Sequence, residues 1–183
     1  ERNANSGLVV ALDADDLAPF ERFPGDPLAG IALQRELEER AFRLGGNSYA
    51  APAQRLEDFL AARPSTRLGA IAASYQPGVH PADLDALLPP PIVEALREAL
   101  PVFARKLKGY DHPDAVLTGV ETRTSSPVRI PRDEALESLN VKGLVPAGEG
   151  AGYAGGILSA GIDGIRAAEA VARQLLMEKV EKC

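Results

Sequence analysis

Residues Asn140–Met177 read NVKGLVPAGEGAGYAGGILSAGIDGIRAAEAVARQLLM, and this stretch decides the fold. Leu144, Val145 and Ala147 form a short apolar run, which predicts a buried strand over Leu144–Ala147. Eight of the chain's 17 glycines lie between Gly143 and Gly164, so a glycine-rich turn follows. Ile157, Leu158, Ile162, Ile165, Ala168, Val171, Ala172, Leu175 and Leu176 then recur at helical spacing. A helix is expected to begin within about two residues of Gly156. A strand that feeds a helix through glycines presents backbone N–H groups and the positive end of a helix dipole to anionic or electron-rich groups. Gly150, Gly152 and Gly155 spell a G-x-G-x-x-G. The chain ends soon after the helix, without the second parallel strand and ribose-binding acid of a dinucleotide unit. The pattern alone fits either a ligand-binding turn or a tight turn that lets a helix lie close on a sheet.

Outward from this stretch, composition narrows the classes. The 183 residues are 45% hydrophobic and 25% charged, as in a globular domain of ordinary make-up. A net charge of −6 argues against a nucleic-acid or anionic-membrane binder, which needs clustered positive charge. No apolar run approaches the roughly 20 residues of a membrane span, and no signal peptide is visible. The single cysteine is Cys183, so no disulfide framework or cysteine metal cluster is expected, and the default setting is cytoplasmic. His80 and His112 each precede a proline, far apart, and read as loop residues rather than a zinc pair. The only methionine is Met177, and the chain opens on Glu1 and soon runs into a strand-like segment, which reads as a piece of a longer protein.

In chain order, Gly7–Asp13 reads as a strand, and Asp13, Asp15 and Asp16 as a solvated turn rather than a cation loop. Asp26-Pro27 starts a helix that runs to Leu44 with Leu33, Leu37, Ala41 and Leu44 inward, and Gly45-Gly46 ends it. Ala53–Ala62 reads as a second helix, Ser65–Val79 as loop, and His80–Leu88 as a short helical turn. Pro89–Pro91 opens a helix to about Lys108, carrying Val93, Leu96, Leu100, Phe103 and Leu107, with a kink or break expected at Pro101. Ala115–Thr122 and Val128–Ile130 read as β segments, and Glu134–Leu139 as a short helical or irregular link.

Two places carry the residue types of a site. One is the glycine turn with Glu149. The other is Arg123–Arg132, where Arg123, Arg129 and Arg132 accompany Thr124, Ser125 and Ser126. Arginine forks suit carboxylates and phosphates; equally, these arginines could pair with Glu121 and Asp133 on a surface strand. Nucleophilic catalysis has no support, since no serine lies in G-x-S-x-G. Tyr153 stands inside the turn, where it could face a ligand or serve packing.

The segment GVETRTSSPVRIPRDEALESLNVKGLVPAGEGAGYAGGILSAGIDGIRAAEAV, residues 119–171, resembles the C-terminal end of bacterial FAD-dependent dehydrogenase-like flavoproteins, relatives of the two-domain flavoprotein oxidoreductases. RNANSGLVV at 2–10 and GNSYAAPAQRL at 46–56 resemble earlier pieces of the same family. The resemblance implies a mixed α/β fragment. Residues 1–142 would be mostly a cap or substrate domain, and residues 143–183 the last strand and helix of a Rossmann-like FAD-binding domain. It implies that Gly148, Glu149, Gly150, Gly155, Gly156 and Ile157 contact FAD, with Glu149 on the ribityl or nearby phosphate part and the helix start at the pyrimidine edge of the flavin. Arg123, Ser125, Ser126, Arg129 and Tyr153 are then candidates for the substrate side. The glycine-rich fingerprint that binds the ADP half is absent from the chain, so the missing N-terminal half of the FAD domain is an implied partner, beside a small-molecule substrate. The activity implied is hydride or electron transfer between a substrate and FAD in the parent protein, with the 183 residues alone inactive. Two alternatives from other classes are a non-catalytic binding or regulatory module with a degenerate flavoprotein fold, and an anion-binding domain that uses the Gly150–Gly156 turn alone.

Overall fold

A computed structural model describes residues 3–181, leaving Glu1, Arg2, Lys182 and Cys183 outside; the expectations for Arg2 and Cys183 lie there. The chain is mixed α and β, with five α-helices and one three-stranded sheet among the described residues. It forms two compact units, each made of two chain segments: residues 1–19 with 33–122, and residues 20–32 with 123–183.

In the first unit the sheet order is β2-β1-β3, with β1 at Ala51–Arg55, β2 at Val79–Pro81 and β3 at Val116–Thr118. β1 runs parallel to β2, with Pro52 opposite His80, and antiparallel to β3, with Gln54 opposite Leu117. The helix expected from Ala53 therefore begins only at Leu56, as α3 (Leu56–Leu60), because the preceding residues are claimed by strands on both sides. The turn expected at His80 is likewise strand, followed by a 3-10 turn at Leu84–Ala86. The strand expected at Gly7–Asp13 has no ladder partner. Its last residue caps α1 (Ala14–Leu17), Asp13 accepting from the amides of Asp15 and Asp16 while Asp16 accepts from that of Asp13. The three aspartates thus serve a capping box.

α2 (Ala29–Leu44) and α4 (Pro90–Lys106) follow the expected periods. Pro90 and Pro91 fill the first turn of α4, where a missing N–H costs nothing, and the helix is not split at Pro101. Gly46 closes α2 in the left-handed region, φ 80°. The core of this unit is Leu56, Phe59, Leu84, Leu87, Val93 and Leu100, with Ala41, Leu44, Leu96 and Leu117 packed against it. Gln54 is fully buried and satisfied: its amide nitrogen donates to Arg63 O at 2.8 Å and its oxygen accepts from Leu84 N at 2.8 Å.

The second unit has no strand among its described residues. The expected strand at Leu144–Ala147 is extended chain, because nothing pairs with it as a ladder. Leu144 O accepts from Ser138 N and Pro146 O from the Arg132 guanidinium, while Pro146 itself has no N–H to give. Val128–Ile130 is also unpaired as a strand and instead docks on the glycine turn. The helix expected near Gly156 begins one residue later, as α5 (Ile157–Glu181). The helix expected to start with Asp26 as N-cap and Pro27 as its first residue begins at Ala29, so Asp26 lies ahead of the cap position. Its buried carboxylate accepts from Leu28 N at 2.9 Å and from Arg22 Nε at 2.6 Å, and the hydrogen bond from Arg22 holds it well below the usual carboxylate range.

Candidate flavin-binding turn

The turn is built between two glycines whose backbones an L side chain resists. Gly148 has φ 69°, ψ −160°, and Gly152 has φ 82°, ψ 23°. Between them Glu149–Ala151 makes one 3-10 turn, closed by Gly152 N donating to Glu149 O at 2.9 Å and Tyr153 N to Gly148 O at 3.1 Å. The three glycines of the G-x-G-x-x-G have different duties. A Cβ on Gly152 would lie 2.7 Å from Val128 O and 3.0 Å from Arg129 Cα, so this glycine admits the chain's own backbone. A Cβ on Gly150 or Gly155 would meet nothing within 4 Å, and one on Gly156 would meet only Ser159 Oγ at 3.5 Å.

The two places singled out in the sequence are a single surface. Ser126 Oγ lies 2.8 Å from Val128 O and 3.1 Å from Gly150 O, and Ile130 N donates to Ala151 O at 3.2 Å. The Arg129 guanidinium stands 4.4 Å from the centre of the Tyr153 ring, and Arg132 stands 3.7 Å from it. The Tyr153 hydroxyl donates to Ile130 O at 2.9 Å. Arg123 and Ser125 are exposed in the same segment. Ile157 is 93% exposed at the first position of α5. Glu149 is half-buried, and among the described residues its carboxylate accepts no hydrogen bond.

One residue of the site escaped the sequence reading. Asp163, on α5, is nearly buried and accepts a two-pronged bond from Arg132, Nη2 to Oδ1 at 2.6 Å and Nη1 to Oδ2 at 2.9 Å. Its Oδ2 also accepts from Gly148 N at 2.8 Å. Arg132 therefore pairs with Asp163, while Asp133 is used to accept from Glu137 N. The only trace in the sequence is a carboxylate set between apolar neighbours near the start of the helix, Ile162-Asp163-Gly164-Ile165.

The Arg132 hydrogen bonds, helped by the Gly148 N–H and opposed by burial, hold Asp163 down at about 2. Its folded pKa is below the unfolded one, so its contribution is complete above about pH 4 and is lost as pH falls through about 2. That contribution is on the order of 2 kcal/mol. Urea unfolding at pH 2–5 checks it: the protein should lose this much more stability across the window than Asp163→Asn, a comparison that cancels the parallel titration of Asp26.

Among the described residues no group of three or more His, Cys, Asp or Glu is placed to hold a metal ion, and no helix is long and apolar enough to cross a membrane. Fold and site together define a mixed α/β chain with a glycine turn set at the start of a long helix and lined by arginine and hydroxyl side chains. The family model described as "FAD-dependent protein, C-terminal domain-like" matches residues 1–124, and the chain belongs to that family. It is also 49% identical over 178 residues to an uncharacterized protein of Clostridium beijerinckii. That match covers 97% of this chain and 32% of the relative, so the chain spans about a third of the relative's length.

The residues present fit a flavin cofactor. Gly150 and Gly155 leave room for close backbone approach, and Glu149 offers a half-buried acceptor to a ligand hydroxyl.

Proposed function

We propose that this chain is the C-terminal portion of an FAD-dependent oxidoreductase that passes hydride or electrons between a small-molecule substrate and FAD in the cytoplasm. The observation that carries the reading is the orientation of α5. Its inward face holds Asp163, Ala167, Ala170 and Val171, whereas Leu158, Ile162, Ile165 and Leu176 point outward, Leu158 being 83% exposed. A surface helix ordinarily does the reverse. An exposed aliphatic stripe of this length marks a surface made to be covered. The missing N-terminal half of the FAD domain is the cover that the family membership supports, and the relative, three times as long, has the chain length to supply it.

In this reading residues 1–142 contribute the cap and residues 143–183 the end of the cofactor domain. Glu149 accepts from a ribityl hydroxyl, and Gly148 and Gly150 bring backbone alongside it. The free N–H groups at Gly155, Gly156 and Ile157 face the electron-rich edge of the ring, where a helix N-terminus favours negative charge. Bound there, FAD supplies two-electron chemistry. Ser126 and Arg129, with Arg123, Ser125 and Tyr153, form the side open to substrate.

The test is flavin binding. The full-length gene product should purify yellow, and Glu149→Ala in it should weaken FAD by about 1.5–3 kcal/mol, the range for a charge-assisted hydrogen bond. The 183 residues alone should not hold FAD stoichiometrically, since one helix N-terminus and one carboxylate do not offset the several kcal/mol of freedom lost on binding. A full-length protein that purifies colourless and retains no FAD through gel filtration after titration with it would refute the reading.

A further inference from the structure

We propose that Asp163 and Arg132 are positioning residues for the cofactor turn, fixing Gly148 and Tyr153 so that Glu149 and Gly150 are presented in a single conformation. The proposal rests on the flavin reading above and assigns a duty to two residues that do not themselves meet the ligand.

One carboxylate ties three parts of the chain together. Asp163 on α5 takes both arms of Arg132 and the N–H of Gly148. Arg132 Nη1 extends the tie to Pro146 O at 2.7 Å, two residues before Gly148. Both ends of the turn are therefore held from the same point: Gly148 by its amide, and Tyr153 by the guanidinium 3.7 Å from its ring centre. Such a hold matters because Gly148 and Gly152 are the most pliable residues of the segment and would otherwise sample many backbone states. A turn that must be ordered when its ligand arrives binds more weakly than one already ordered. The clamp is also well made for precision, being two-pronged, nearly buried and flanked by a stacked ring.

Asp163→Asn keeps the shape but turns one acceptor into a donor, which then opposes an Arg132 N–H. Arg132→Lys keeps the charge but cannot reach both carboxylate oxygens and Pro146 O together. The full-length gene product and both variants would be stripped of flavin, confirmed folded by far-ultraviolet circular dichroism at 15 °C, and titrated with FAD. Flavin fluorescence gives affinity, and visible circular dichroism at saturation reports the ring's surroundings. Each variant should bind FAD at least tenfold more weakly while folded, with an altered visible spectrum at saturation. Variants that melt earlier yet bind FAD within twofold of the parent, with an unchanged spectrum, would make the clamp a staple of the fold and overturn the proposal. Should Asp163→Asn not fold, Arg132→Lys decides by the same two criteria. Failure of the unsubstituted protein to bind FAD would sink the flavin reading and this proposal with it, and is recognisable because it shows before any substitution is made.

Discussion

Phe59→Ala is expected to destabilise the first compact unit by about 3–5 kcal/mol. The ring is completely buried among Leu56, Leu84, Leu87, Val93 and Leu100, so truncation removes its transfer energy and leaves a cavity that the sheet cannot collapse to fill. A second loss is added. The Arg97 guanidinium lies 4.8 Å from the ring centre, donates to Phe59 O at 2.8 Å and reaches Asp85 at 2.7 Å. Without the ring, the partly buried arginine keeps its ion pair but loses the surface it rests on. Urea unfolding would show the drop. The control is Phe103→Ala, a ring 37% exposed on α4, where the loss should be much smaller.

Gly152→Ala should cost the second unit about 2–5 kcal/mol, from about 1–2 for a left-handed residue with a Cβ and about 1–3 for overpacking. The added methyl would sit 2.7 Å from Val128 O and 3.1 Å from Arg129 Cβ, so the segment that carries Ser126 and Arg129 would be pushed off the turn. Amide hydrogen exchange followed by mass spectrometry separates the two units: peptides from 123–181 should exchange faster and those from 33–122 should not change. Gly150→Ala, two residues away in the same motif, lacks both penalties, since its φ is not positive and its Cβ would meet nothing within 4 Å. Equal effects of the two substitutions would contradict the division of duties among these glycines.

That division shows where sequence reading stops. The long helices were legible because α2, α4 and α5 each repeat apolar residues every three to four positions, and Gly46 marked the end of α2. β1 was not, because Ala51–Arg55 contains a proline and a glutamine and alternates no hydrophobic face. It is a strand only because Val79–Pro81 and Val116–Thr118 lie on either side, and Gln54 is buried only because Arg63 O and Leu84 N meet its amide. Leu144–Ala147 erred in the other direction: its composition suits a buried strand, but a ladder belongs to partners, and here Pro146 O goes to a guanidinium. The glycine turn could be read directly, since positive φ selects glycine. The clamp beneath it joins residues 31 positions apart, a distance over which residue type alone carries no pairing information.

The interleaving of the two units has a kinetic side. Residues 20–32 belong with residues 123–183, and a Cβ on Gly30 would lie 2.8 Å from that of Pro127. On the ribosome the early segment must wait while about ninety residues are added, on the order of 5–20 s at ordinary synthesis rates. Meanwhile residues 33–122 already contain the whole sheet and its core, and so form a nucleus of their own. Residues 20–28, which bear Phe23 and Leu28, therefore spend those seconds tethered ahead of α2 without the rest of their unit, and the glycine turn's unit is completed only after the segment from Arg123 onward has been made.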